Sequence, residues 1–401
     1  MGEKNKSFLA WFYVKRFVSC IFPEQFLTSS RDEGDNLEFK INVSDIKVKI
    51  STVLLFVDET FIDVNVGNGY RVEKFQLDKG FLYYDNIVDG KGRLKLDYMG
   101  SRIIEQDSSG VDNVYFVRLF KDDEFSIEEP ILQSGVSYSD SKFDFKEQLE
   151  DYYEKEFAYL NNSISLLQLF KRGNIGIREV NASFKYNVMG IMNQNRNINS
   201  SIHDANIIRS EKYTLTKNEI EEINKFISKH IKVETTNYSK SINERNYYVS
   251  KEFEMLSPII NEFTFGLKQV DLPTGFEQFT TAMEMLLLEK NERGKKVALA
   301  KRTASLLGSS DTDVSSIYNK MKNYYRFRSE SLHEGDGSNI TICELSELEN
   351  IVRGAIKKYL TYCENEILRQ PSVTWVEIKA KKILDLKNLV TSYKSTGVLP
   401  Q

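Results

Sequence analysis

The chain has 401 residues, 41% hydrophobic and 28% charged: enough apolar content for real cores, and too much for a chain disordered throughout. Its 54 bases and 58 acids leave a net charge of −4, a total that does not mark a nucleic-acid binder, and six prolines with 21 glycines exclude collagen-like and Pro-rich scaffolds. At about 150 residues per domain, the length predicts two to three domains.

The first segment holds a short apolar run, residues 8–14, broken by Lys15-Arg16. It fits neither a signal peptide nor a spanning helix, and Lys6 stands where myristoylation wants Ser or Thr. A cytoplasmic protein with no membrane contact is expected. Residues 37–135 read as β. Ile46-Lys47-Val48-Lys49-Ile50 alternates as a half-buried strand should. Residues 61–66 predict a further strand, and Gly67-Asn68-Gly69 turns the chain toward Tyr70-Arg71-Val72. Asp89-Gly90-Lys91-Gly92 precedes another alternating run, 93–98, and residues 114–120 form a strand ended by Asp122-Asp123-Glu124. Short strands between turn signals predict an antiparallel sandwich or barrel.

Residues 145–170 read as a helix, 175–192 as strand-like and the Asn/Ser-rich 193–201 as a loop. From Thr216 the pattern is helical. Thr216 and Glu219 make a capping box, with Ile220, Ile223, Phe226, Ile227 and Ile231 on one face behind it. Further helices are predicted over 243–266, from Pro273 to 290, over 294–307 before Gly308, over 314–325 and over 344–369. The fold class is therefore α+β and multidomain. A β-rich domain spans 1–141, a mixed helix/strand connecting region 142–215, a helical domain 216–370, and a helical extension and tail 371–401.

Charge is unevenly spread. Residues 31–150 carry 25 acids against 15 bases, whereas Lys290 to Arg328 holds ten bases and three acids. A local basic patch attracts polyanions even on an acidic protein. Three dispersed cysteines (Cys20, Cys343, Cys363) and three histidines (His203, His230, His333) give no disulfide framework and no clustered zinc ligands. Phosphate loops, nucleophile elbows and dinucleotide fingerprints are absent from the sequence. His230 closes a helix, where a cation suits the dipole.

What remains is Arg328-Ser329-Glu330-Ser331-Leu332-His333. Imidazole moves protons near neutral pH, and guanidinium holds a phosphate through two N–H groups. This segment resembles the R-x4-6-H motif of HEPN ribonucleases. The context resembles the Apea-type branch. Phe279 to Leu287, with Ala282, Met283 and Glu284, is similar to that branch's "ALE-x-L" helix. Lys301-Arg302-Thr303-Ala304-Ser305-Leu306-Leu307 is similar to its "R-x-A-x-L-L" helix, and Tyr324-Tyr325-Arg326-Phe327-Arg328-Ser329 to its approach to the motif. The likeness covers about residues 245–369. It departs where Glu334 precedes Gly335 and where no tyrosine follows His333 closely. Arg196 and His203 also fit R-x4-6-H, with six residues between them, but in the Asn/Ser-rich stretch without the flanking helices.

The resemblance implies an all-helical, homodimeric C-terminal domain acting on RNA as a toxin-like effector of anti-phage defence by abortive infection. It also implies an N-terminal domain that senses a phage-derived or host protein trigger. Arg328 and His333 are then catalytic, and Ser329, Glu284 and Tyr325 support them. Lys322, Arg326 and Arg302 contact RNA, with neither metal nor cofactor required. The alternative is a non-catalytic dimerisation or binding module whose β domain recognises a protein partner.

Overall fold

The alternation at residues 46–50 becomes a strand with one wet face: Ile46, Val48 and Ile50 are buried while Lys47 and Lys49 are exposed. The structure, a computed structural model, describes residues 27–31, 37–76, 103–106, 112–132, 146–188, 192–201, 212–234, 246–335 and 337–400. The turn and strand expected over 89–98, together with Cys20 and His203, lie outside these residues. Strands β1 (Leu27–Arg31), β2 (Leu37–Leu55), β3 (Arg71–Gln76), β4 (Ile103–Gln106), β5 (Asp112–Leu132), β6 (Gly176–Val188) and β7 (Met192–Ser201) form one antiparallel sheet. Its path runs β3-β5-β2-β6-β7, with β1 added to β2 and β4 to β5.

Helix α1 (Lys146–Phe170) covers the buried face of this sheet. Tyr152 packs between Phe125 and Phe184, with ring centroids 4.7 and 6.1 Å away, and the Tyr153 hydroxyl donates to Val180 O at 3.1 Å. A helix thus stands where a sandwich would place a second sheet. Residues 142–215, read as a connecting region, supply α1, β6 and β7, and β6 pairs with β2 in mid-sheet.

The helical part comprises α2 (Lys217–His230), α3 (Lys251–Lys268), α4 (Leu272–Leu287), α5 (Lys295–Leu307), α6 (Asp311–Glu334), α7 (Ile342–Arg369) and α8 (Trp375–Ser395). Strands β8 (Ile231–Glu234) and β9 (Asn246–Val249) form a small ladder between α2 and α3. The Thr216/Glu219 capping box is present, as is a second at Thr374/Glu377. Asp271 caps α4 by accepting from Thr274 N at 2.9 Å, with Pro273 in the first turn. The chain is thus an α+β molecule with an N-terminal antiparallel sheet region followed by helices.

Several expectations are corrected. Residues 61–66 are no strand: Glu59–Asp63 is a 3-10 turn capped by Asp58, and it drives Phe61 into the core. The following Gly67 has φ +79°, and a Cβ there would lie 2.7 Å from the Tyr159 hydroxyl, so the turn needs glycine. The acidic run does not end β5, because its carboxylates have partners. Asp122 meets Arg71 at 2.9 Å and Asp123 accepts from the Tyr152 hydroxyl at 2.7 Å. Residues 193–201 lie in β7 and are not a loop; pairing with Glu179–Val188 of β6 overrides weak local propensity. The helix expected from 243 starts at Lys251, since Asn246–Val249 is taken by β9. Finally, α6 runs to Glu334, nine residues past its expected end.

Candidate active site

Because α6 is longer than expected, the Arg328–His333 motif is helical. The helix closes at Gly335, which takes φ +69° and returns its N–H to Glu330 O. Five residues along an α-helix turn a side chain by about 140° and advance it ~7.5 Å. Arg328 and His333 of one chain therefore point apart.

Arg328 points inward. Its Nη1 donates to Glu284 Oε1 at 3.1 Å, and its guanidinium lies 5.8 Å from the Tyr325 ring centroid. The Nε is enclosed, with no hydrogen-bond partner among the described residues. Glu284 stands in the last turn of α4. Its second oxygen, Oε2, lies 3.8 Å from Lys295 Nζ at the start of α5. The Tyr325 phenol is pushed above its ordinary range, first by burial and then by the charge of Glu284 and a hydrogen bond to it. Glu284 and Tyr325 thus lie against Arg328. Lys295 was legible in the sequence only as one member of the basic run. The local signal was its place directly after Gly294, where α5 begins.

His333 points outward. It is exposed in the last turn of α6, and Ser329, four residues back, is exposed on the same face. Lys322 and Arg326 extend that row, since 322, 326, 329 and 333 follow the four-three-four spacing of one helical face. Lys322 Nζ lies 5.9 Å from the Tyr318 ring centroid, and Arg326 forms an exposed pair with Glu330 at 3.5 Å. Tyr324 is buried beneath the row and donates to Glu347 at 2.6 Å, so it is an internal strut.

Arg302 departs from expectation. Only 3% exposed, it donates to Leu287 O at 2.7 Å and grips both oxygens of Glu292 at 2.7 and 2.5 Å. Burial alone would raise the Glu292 carboxyl, but hydrogen bonds from Arg302 and the backbone bring it below its ordinary range. Arg302 therefore braces the α4–α5 link and does not reach a ligand at the surface. Arg196 of β7 is tied to Glu150 of α1 at 3.0 Å, so it is committed to holding the helix on the sheet.

His230 is buried rather than merely terminal. Its Nδ1 lies 3.1 Å from both Ser250 Oγ and Glu252 Oε1, a cluster that sequence separation hid. Burial raises the Glu252 carboxyl, yet hydrogen bonds from His230, Ser250 and the backbone outweigh it and bring the pKa to about 2. Cys363 is pushed up to about 12 by burial and by the charge of Glu252, while Cys343 is exposed. Among the described residues no three His, Cys, Asp or Glu side chains gather as a metal site, and no helix is long and apolar enough to cross a membrane. Comparison with models of protein families, with curated proteins and with solved structures finds no match.

Proposed function

We propose that the chain is a metal-independent endoribonuclease of the HEPN type, an RNA-cleaving, toxin-like effector of anti-phage defence working in the cytoplasm. The observation that carries this reading is the exposed row Lys322, Arg326, Ser329 and His333 on α6. It leads two cations up to the one histidine that faces solvent among the described residues. A single-stranded backbone laid along the row meets positive charge first and an imidazole at its end.

In the proposed reaction His333 takes the proton of a ribose 2′-OH, and that oxygen attacks the neighbouring phosphorus. The bond from phosphorus to the 5′ oxygen breaks, and a protonated imidazole returns a proton to the leaving oxygen. A 2′,3′-cyclic phosphate and a 5′-hydroxyl result. Arg328 offsets charge on the phosphoryl oxygens. Each chain brings one His333, pointing away from its own Arg328, so a homodimer supplies the second imidazole and sets the guanidinium of one copy beside the histidine of the other. Exposed apolar side chains at this end of the bundle favour such a contact: Val270 is 57% exposed, Leu332 45% and Ile342 63%. The acidic sheet region repels RNA, which supports a separate task there, recognition of a protein trigger or restraint of the helical part.

The test is cleavage of a labelled RNA by the purified full chain. His333→Ala and Arg328→Ala should each abolish cleavage, a chelator should leave it unchanged, and the melting curve of H333A should match wild type. Cleavage persisting in both variants sinks the enzyme reading. The contact between Arg328 and Glu284, on the side of α6 away from His333, favours a second reading, a non-catalytic dimerisation or binding module. That reading predicts no RNA cleavage and a dimer that both variants preserve.

A further inference from the structure

One carboxylate bridges two cations here, and the three groups come from three helices. Glu284 of α4 holds Arg328 of α6 at 3.1 Å through one oxygen and faces Lys295 of α5 at 3.8 Å through the other. A phosphodiester also carries a single negative charge on two free oxygens, so it can replace this carboxylate without changing the charge of the group. Arg328 is not saturated by Glu284 either. The carboxylate engages Nη1, while the enclosed Nε–H has no acceptor among the described residues, and a buried donor without a partner is costly. Lys295 is the open side of the group: its side chain is 45% exposed, against 17% for Glu284 and 19% for Arg328.

We infer that Glu284 is a built-in stand-in for substrate phosphate, displaced from Arg328 when an RNA backbone binds, and that Lys295 is the residue that receives the incoming phosphate. In the resting chain the carboxylate keeps Arg328 oriented and neutralised. A phosphodiester first meets Lys295, then takes the place of Glu284 on the guanidinium, where two N–H groups grip it together. Glu284 is accordingly a positioning residue that competes with the substrate, and affinity for RNA is set partly by how readily it leaves. The inference rests on the ribonuclease reading in taking the anion to be a phosphodiester.

The experiment measures binding of a fluorescent 2′-O-methyl oligoribonucleotide, which has no 2′-hydroxyl to react, to the full chain over a range of salt concentrations. Glu284→Gln keeps the shape of the side chain and removes the competing charge, so it should tighten binding several-fold. Lys295→Gln should weaken binding about five- to tenfold and lower the slope of log affinity against log salt by roughly 0.7, the value of one phosphate contact on a single strand. A purely structural Glu284 gives the opposite sign, because an unanchored Arg328 binds worse. Lys295 is half exposed in a first helical turn, so K295Q keeps the test decisive if E284Q fails to fold. If wild type binds and cleaves RNA while K295Q retains the full salt slope and E284Q does not tighten binding, this inference alone falls. If wild type binds no oligonucleotide at any salt, the ribonuclease reading falls with it.

Discussion

Arg302 and Arg326 belong to the same basic run and have opposite fates. Arg326 is half exposed beside Glu330 on the outer face of α6, whereas Arg302 is sealed in with Glu292. Removing one partner of a buried pair leaves an uncompensated charge, which costs about 3–5 kcal/mol. Arg302→Met should therefore lower unfolding free energy by about that amount in denaturant titrations. Arg326→Gln should leave stability within ~0.5 kcal/mol and instead weaken RNA binding. The sequence announced ten bases between 290 and 328, but it could not say which of them turn inward, because that depends on Leu287 O and Glu292 arriving from the preceding helix and link. Glu252 supplies a second residue-scale prediction. Its pKa falls from 4.5 to about 2 on folding, so its contribution to stability is complete above about 4.5 and is lost as pH drops toward 2. Glu252→Gln should flatten the pH dependence of Tm between pH 2 and 4.5.

At the scale of elements, three departures from the sequence reading share one cause: pairing partners outside the local pattern override it. Asp122 and Asp123 stay in β5 because Arg71 and Tyr152 meet them. Residues 193–201 are a strand because β6 lies alongside, and 246–249 leave a helical pattern because β8 pairs with them. Elements whose signals are local were legible as they stand, including the Thr216 capping box, the helix start at Pro273 and the long amphipathic α7. The candidate site divides in the same way. The exposed row on α6 follows from spacing once the helix is known to continue, but the contact of Arg328 with Glu284 spans 44 positions and cannot be read from spacing. Whether α6 does continue through the motif is testable at its C-terminus. Gly335 has φ +69°, and a Cβ added there would meet nothing within 4 Å, so Gly335→Ala is strained only by its backbone conformation. It should cost about 1–2 kcal/mol in denaturant titrations, with Gly335→Asn costing less because asparagine tolerates the left-handed region. A helix ending near residue 325 would leave both substitutions without effect.

At the scale of the molecule, α7 joins the sheet region to the helices. The last carbonyls of α1 lack intrahelical partners, and two cations of α7, one turn apart, reach them. Arg353 Nε donates to Gln168 O at 2.9 Å and Lys357 Nζ to Phe170 O at 3.2 Å. Arg353 also pairs with Glu349, and both are nearly sealed from solvent. Farther along the same helix Glu364 accepts from Lys229 of α2 at 2.6 Å, and near its start Glu347 accepts from Tyr324 under the exposed row. One element thus touches the end of α1, the helix α2 and the back of the candidate site. The strength of the joint can be separated from that of the ion pair. Arg353→Met alone removes the cation paired with the buried Glu349 and should cost about 3–5 kcal/mol. Replacing both members, Arg353→Met with Glu349→Met, removes the buried charges together, and such exchanges are near neutral or stabilising for the pair itself. What stays lost in the double variant is the hydrogen bond to Gln168 O from a charged donor, worth about 1.5–3 kcal/mol, together with the local bond from Nη1 to Asn350 Oδ1 at 2.9 Å. Denaturant titrations should therefore find the double variant more stable than the single one yet less stable than wild type, and native-state hydrogen exchange should locate the residual loss in the last turn of α1. A double variant as unstable as R353M would mean that α7 holds the sheet region by packing rather than by this polar clasp.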